Sequence, residues 1–288
     1  MKYMKLSSFL SSYIFAALFC LSVNAQDKVN LTIAHTNDTH SCVQPLNPNL
    51  SDTSIANKAG FLRRKAFVED LRKKDSDLLL FDSGDFSQGS TYYNLFKGEV
   101  EIKLMNMMKY DAATIGNHEF DFGLSNMERI FKMANFPIVC SNYDFSKTQL
   151  ANVVKPYTII YRKGVKIGVL AVCTRLKGLV SEKNSGATVY LDPITEGNKV
   201  ADFLKNEEKC DLVICLSHLG WNISGVEVED ESFIKASRNI DIVLGGHSHS
   251  YFTEPKTVIN SLGKPVLCNQ MGKNGQWVGI LDVEMKKK

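Results

Sequence analysis

Ala112-Ala113-Thr114-Ile115-Gly116-Asn117-His118-Glu119-Phe120-Asp121 sets a short apolar run directly against an amide, an imidazole and two carboxylates. The first four residues read as a buried strand, and the polar cluster as the loop at its carboxyl end. The same pattern recurs along the chain. The run 29–34 is followed by Asp38 and His40, and the run 78–81 by Asp82 and Asp85. The run 212–216 is followed by His218, and the run 240–244 by His247 and His249. In open α/β sheets, sites form outside the carboxyl ends of strands, where such loops converge. Residues distant in sequence are therefore expected to meet at one sheet edge, and five of the six histidines fall there.

Between these runs lie helical patterns at 59–74, 100–109, 124–134 and 195–208, and a further apolar run at 166–172. Strands alternating with amphipathic segments predict a layered α/β architecture, and near-continuous apolar runs predict strands covered on both faces. No linker rich in Pro, Gly or Ser divides the chain after residue 26, so a single domain over 26–288 is expected. Two long polar loops, 41–57 and 221–231, are read as ordered and functional.

The 288 residues are 44% hydrophobic and 23% charged, which excludes a disordered chain, a collagen-like repeat and a short disulfide scaffold. Residues 1–25 read as a secretory signal peptide: Lys2 and Lys5 precede an apolar run, and Val23-Asn24-Ala25 places small residues before a cut at Gln26. The chain is thus expected in the periplasm or secreted, with no membrane association once the leader is cleaved. Its removal takes two lysines, so the formal charge falls from +3 to +1. With no basic stripe and interleaved aromatics, binding to a nucleic-acid polymer is not expected.

Six of the seven cysteines lie beyond the leader. Cys140, Cys173 and Cys215 sit in or beside apolar runs, where a free thiol behaves as a small hydrophobe. No Cys-x-x-Cys occurs, which argues against a thiolate zinc site. Carboxylates, imidazoles and one amide instead suit zinc, manganese or iron(II), and there are enough donors for two ions. Asp82 and Glu119 are read as turn and loop supports, His35 as structural, and Asn142 as either a turn residue or a phosphate contact. Tyr92, Tyr93, Phe96, Trp221, Tyr251 and Phe252 are read as packing, although Tyr251 and Phe252 follow His249 closely.

Asp38-Thr39-His40, Gly84-Asp85, Gly116-Asn117-His118-Glu119-Phe120-Asp121, Ser217-His218 and Gly245-Gly246-His247-Ser248-His249 stand in the order found in calcineurin-like metallophosphoesterases. The longer strings 36–40 and 116–123 resemble the branch of 5′-nucleotidases, UDP-sugar hydrolases and 2′,3′-cyclic-nucleotide phosphodiesterases. The resemblance spans residues 29–285 and implies a four-layer α/β/β/α sandwich. It further implies that Asp38, His40 and His249 hold one divalent metal. Asn117, His218 and His247 would hold a second, with Asp85 bridging. The pair is expected to be zinc or manganese, with iron or cobalt as alternatives. Some relatives carry Gln or Asn where His249 stands, a difference that bears on metal preference. His118 and Asp121 match the catalytic pair, and Asn117 and His118 are the expected phosphate contacts.

The function implied is hydrolysis of nucleotides or related small phosphoesters by attack of hydroxide on phosphorus. Cyclic phosphodiesterase and UDP-sugar hydrolase activities are the alternatives, since the motifs do not separate them. Full-length members of this branch carry a second, base-recognising domain after the metal domain. A separate polypeptide supplying that domain is one expected partner, and a stand-alone phosphatase is the other reading. A non-catalytic subunit is disfavoured because no ligand position is lost, and a redox metalloprotein would need other ligands.

Overall fold

The computed structural model describes residues 28–286. The leader read at residues 1–25 lies outside them. In chain order the first half is β1 (Lys28–Thr36), α1 (Phe61–Lys74), β2 (Leu79–Asp82), α2 (Thr91–Phe96), α3 (Glu99–Met108), β3 (Ala112–Ala113), α4 (Gly123–Phe131), β4 (Ile138–Val139), β5 (Tyr143–Asp144), β6 (Val154–Lys155) and β7 (Tyr157–Arg162). The second half is β8 (Val165–Cys173), α5 (Glu182–Ser185), β9 (Val189–Tyr190), α6 (Pro193–Asp202), β10 (Leu212–His218), α7 (Asp230–Ala236), β11 (Ile242–Leu244), β12 (Lys256–Ile259), β13 (Pro265–Asn269) and β14 (Gly279–Lys286).

Residue parity along the strands explains how these elements stack. Val29, Leu31 and Ile33 of β1 share one apolar cluster with Val165, Ile167, Val169 and Ala171 of β8 and with Leu212, Ile214 and Leu216 of β10. The alternate residues turn away from it. Ala34 and Leu80 join Phe61, Val68, Ile102, Met105, Met127 and Ile130 of α1, α3 and α4. Leu170, Val172, Val213 and Cys215 join Val200, Ala201, Phe233 and Ile234 of α6 and α7. Two sheets therefore face one another, each covered outside by helices, which is the α/β/β/α sandwich. Burying each large apolar side chain in these interfaces contributes about 1.5–3 kcal/mol, and both faces of the central strands are used.

The first sheet runs β14-β1-β2-β3-β4-β6 and the second β12-β13-β11-β10-β8-β7. β1, β2, β3 and β4 are parallel, and β8, β10 and β11 are parallel. β14 returns antiparallel to β1 and β7 antiparallel to β8. The strand expected at 112–115 is shorter, ending at Ala113, and the helix expected to Glu208 gives way after Asp202 to a π-helical turn, Phe203–Glu207. The loop read as 221–231 ends two residues early, because Glu229 caps α7 reciprocally with Ser232.

The six cysteines among the described residues are free thiols, and all but Cys42 are buried. Asn142 is a tie between the sheets: its Oδ1 accepts from the Cys173 N–H at 2.8 Å and its Nδ2 donates to the Cys173 carbonyl at 2.9 Å. His35 lies fully buried in contact range of Asn269, 3.1 Å from its Nδ2. No helix among the described residues is long and apolar enough to cross a membrane.

Candidate active site

Asp38 and His40 follow β1, Asp85 follows β2, Asn117 and His118 follow β3, His218 ends β10, and His247 and His249 follow β11. All lie at the carboxyl ends of parallel strands, and they are drawn from both sheets. The structure gathers the carboxylates and imidazoles into two groups. Asp38, His40 and His249 form one, and Asp85, His218 and His247 the other, with donor atoms in each within 4.8 Å of one another.

Backbone conformation makes this convergence possible. Asp38, His40, Asp85, His247 and His249 have φ of 47°, 42°, 54°, 72° and 56°. Left-handed backbone at a non-glycine residue is disfavoured by the Cβ, and such strain collects at functional sites. Here it lets two histidines separated by a single serine point into different groups. The turns are held by neighbours that carry no donor signature of their own. Asn37 Nδ2 donates to Asp38 Oδ2 at 2.7 Å, and the His247 N–H donates to the same oxygen at 2.9 Å. Gln270 Nε2 donates to the Gly246 carbonyl, and its Oε1 accepts from the Ser250 N–H. Asn37 was findable only as a neighbour of Asp38, and Gln270 gave no sequence signal.

Glu119 and Asp82 serve the loops, as read from sequence. The buried Glu119 carboxylate accepts from the N–H groups of Asp85, Ser87 and Gly116 at 3.0, 3.0 and 2.6 Å, binding two site loops together. Burial pushes its pKa up to about 7. Asp82 accepts from Thr36 Oγ1 at 2.6 Å and from the Gly84 N–H at 3.0 Å.

Two of the donor atoms face inward without partners. His218 Nδ1 donates to the Ser83 carbonyl at 2.7 Å, which fixes the tautomer and leaves Nε2 to face the site. That Nε2 and Asn117 Oδ1 are buried with no hydrogen-bond partner. His218 Nε2 comes within 3.1 Å of Asp85 Oδ2, close enough for charge attraction but without hydrogen-bond alignment. In the other group His40 Nε2 stands 2.9 Å from His249 Nε2, and His249 Nε2 3.5 Å from Asp38 Oδ1. Buried polar atoms without partners and facing imidazole nitrogens become a donor set for cations once their protons leave, so the residues fit a pair of divalent metals.

Electrostatics agree. Burial lowers the pKa of His247 to about 3 and of His249 to about 4, with the cationic His218 and with His40 respectively as the next causes, so both offer a lone pair at neutral pH. Burial raises Asp38 to about 8. His218 is desolvated, yet the Asp85 carboxylate holds a proton on it, and His218 in turn keeps Asp85 ionised. The cation-free site therefore stores protons that ligation must expel. At pH 7, uptake of zinc or manganese is expected to release about one to two protons, and binding should tighten as pH rises toward 8. Calorimetry in buffers of different ionisation enthalpy reads this directly; heats that do not depend on buffer would refute it.

At the mouth, His118 Nδ1 lies 3.2 Å from Asp121 Oδ2. The Asp121 hydrogen bond, with smaller help from nearby carboxylates and against partial burial, raises the His118 pKa. The His118 ring meets that of His40 edge-on at 5.5 Å between centroids, and its backbone N–H donates to Asp85 Oδ1 at 2.9 Å. Gly116 is required by this crowding, since a Cβ there would overlap the Asp85 carboxylate. Gly116→Ala is expected to cost about 1–3 kcal/mol from overpacking and to weaken cation binding by displacing Asp85; thermal melts with and without metal check both effects.

A four-layer sandwich whose parallel strands deliver carboxylate and imidazole donors to a shared edge defines a metallophosphoesterase fold. The calcineurin-like phosphoesterase family model matches residues 31–251, and the chain belongs to that family of metal-dependent phosphoric ester hydrolases. It is 31% identical over 292 residues to a snake venom 5′-nucleotidase of Crotalus adamanteus, covering 93% of this chain and 47% of that protein. Among solved structures it resembles the 5′-nucleotidase precursor of Thermus thermophilus, with a TM-score of 0.78, 28% identity and coverage of 88% and 51%. It also resembles the NAD nucleotidase of Haemophilus influenzae, with a TM-score of 0.75, 26% identity and coverage of 90% and 48%. The chain thus spans about half the length of these relatives.

Proposed function

We propose that this chain hydrolyses phosphoester bonds of nucleotides or closely related small phosphoesters, in the manner of a 5′-nucleotidase. The observation that carries the reading is the pair of inward-facing donor groups with His118 and Asp121 at their mouth. Asp38, His40 and His249 would hold one divalent cation and Asn117, His218 and His247 the other, with Asp85 shared; Asp85 already acts electrostatically on His40 and Asp38. Bound there, two cations supply positive charge to phosphoryl oxygens and acidify water.

The chain's own side chains do the rest. Asp121 holds His118 Nδ1, so the other ring nitrogen is the one turned to substrate, and the raised pKa keeps a proton available there near neutral pH. That proton is donated to oxygens on phosphorus as charge gathers on them. Asn117 offers its amide N–H to the same phosphoryl group. Asp85 takes the backbone N–H of His118 on one oxygen and faces His218 with the other, which sets the imidazole loop against the cation sites.

The test is a panel on metal-defined protein: AMP, UDP-glucose, 2′,3′-cyclic AMP and p-nitrophenyl phosphate, with zinc and manganese compared. AMP turnover well above that of the others supports the 5′-nucleotidase reading. Preference for the cyclic ester or the sugar nucleotide would move the assignment to those activities, and no turnover of any would end it. We further read residues 26–288 as the phosphoesterase domain of an exported protein. Amino-terminal sequencing of material from the native host should then begin at Gln26; retention of Met1 removes the leader reading.

A further inference from the structure

Tyr251 and Trp277 form an exposed, pre-stacked aromatic pair on segments tied to the first donor group. Their ring centroids are 4.7 Å apart with planes 24° from parallel, and the residues are 46% and 40% exposed. The next aromatic, Phe252, behaves oppositely: it is buried and packs edge-on against Trp221 at 5.3 Å. Of the two aromatics that closely follow His249, one is therefore core and the other is presented to solvent.

Both rings are mounted on segments fastened to the first donor group. Tyr251 lies two residues past His249. Trp277 ends a turn whose Asn274 N–H donates to the Asp38 carbonyl at 2.7 Å, and whose Gly272 carbonyl accepts from Asn37 Nδ2 at 2.8 Å. Lys58 Nζ sits 5.3 Å from the Trp277 ring centroid, adding a cation–π contact that helps hold the indole. Two large rings, ordered in advance and left half in water, lose little conformational entropy when a third ring arrives. The surface is one ring system wide, far below the roughly 800 Å² per partner of a stable protein interface. A flat aromatic group suits it, and every nucleobase has a π face.

We propose that Tyr251 and Trp277 form a stacking platform, carried by this chain itself, for the base of a nucleotide whose phosphate lies against the site. The inference rests on the phosphoester reading for its substrate, and deepens it by naming the part of the substrate that the chain recognises apart from phosphate. Because stacking is tolerant of base identity, the platform favours nucleotides over base-free esters rather than one base over another.

The test compares kcat/KM for AMP with that for ribose 5-phosphate in Mn²⁺, for the wild type and for Tyr251→Ala, Trp277→Leu and Tyr251→Phe. Tyr161→Ala, on the outer strand β7, is the control. The AMP to ribose 5-phosphate ratio is expected to fall about 5-fold or more in the first two, to recover in Tyr251→Phe, which keeps the ring, and to hold in the control. An unchanged ratio in both ring-deletion variants overturns the platform. A second readout does not need turnover: in cation-free protein, AMP but not ribose 5-phosphate should quench tryptophan fluorescence, and Trp277→Leu should remove that response and leave only Trp221. If the wild type hydrolyses neither ester, the hydrolytic reading fails while base-dependent quenching still supports the platform; absence of quenching overturns it.

Discussion

Asp85→Asn is expected to strip the site of cations and lower kcat/KM on the order of 1000-fold, the scale set by removing preorganised charge from a reacting centre. The replacement matches in shape, so the change is electrostatic. The new side-chain amide would still accept the His118 N–H on its oxygen, as Asp85 Oδ1 does at 2.9 Å. Its nitrogen would then face His218 Nε2, where Asp85 Oδ2 stands at 3.1 Å, and an N–H donated there occupies the lone pair a metal needs. His218 would lose the carboxylate that keeps it protonated, and would shed its proton rather than stay a lone buried cation, so the fold should persist. Metal analysis after dialysis, beside a thermal melt, separates these effects. Two cations bound at wild-type affinity would show that Asp85 is not shared.

His118→Ala is the second large effect, and of the opposite kind. His118 belongs to neither donor group, so both cations should remain, while kcat falls about 100- to 10,000-fold through loss of a positioned proton donor. Asp121→Asn should cost less and change the pH profile. The Asp121 hydrogen bond is the largest cause of the raised His118 pKa, and a raised pKa retains the proton to higher pH. Removing the carboxylate's charge should therefore move the alkaline limb of kcat to lower pH, and the His118 titration seen by NMR in cation-free protein should move the same way. Retention of full kcat in His118→Ala would exclude it from the mechanism.

The layers were legible because strand parity is local. Alternate residues of β8 and β10 read as apolar on both faces, and only a sandwich with helices outside can bury both. The short strands were less legible. β3, read at 112–115, ends at Ala113, β4 holds only two residues, and the outer β7, with its half-exposed YTIIYR, carries too weak a pattern to stand out from a loop. Tyr251 and Phe252 were equally ambiguous, since neighbouring aromatics differ only in which way the backbone turns them. Cys140 and Cys173 read separately as apolar thiols, yet their sulfurs lie 3.5 Å apart between the two sheets, a proximity no spacing reveals.

The layered α/β class was legible in the chain alone, as was the placement of carboxylate, amide and imidazole donors just past the ends of apolar strands. Both are properties of short segments, set by periodicity and by the hydrogen-bonding chemistry of residues at strand ends. How those donors are shared was implied by the family resemblance alone, and its physical cause lies in the tertiary structure. His247 joins Asp85 and His218 of the second group, while His249, two residues on, joins Asp38 and His40. The division depends on left-handed backbone at both histidines and on Asn37, Gln270 and the Ser83 carbonyl, which lie far apart in the chain and act as supports only once two sheets bring their strand ends together.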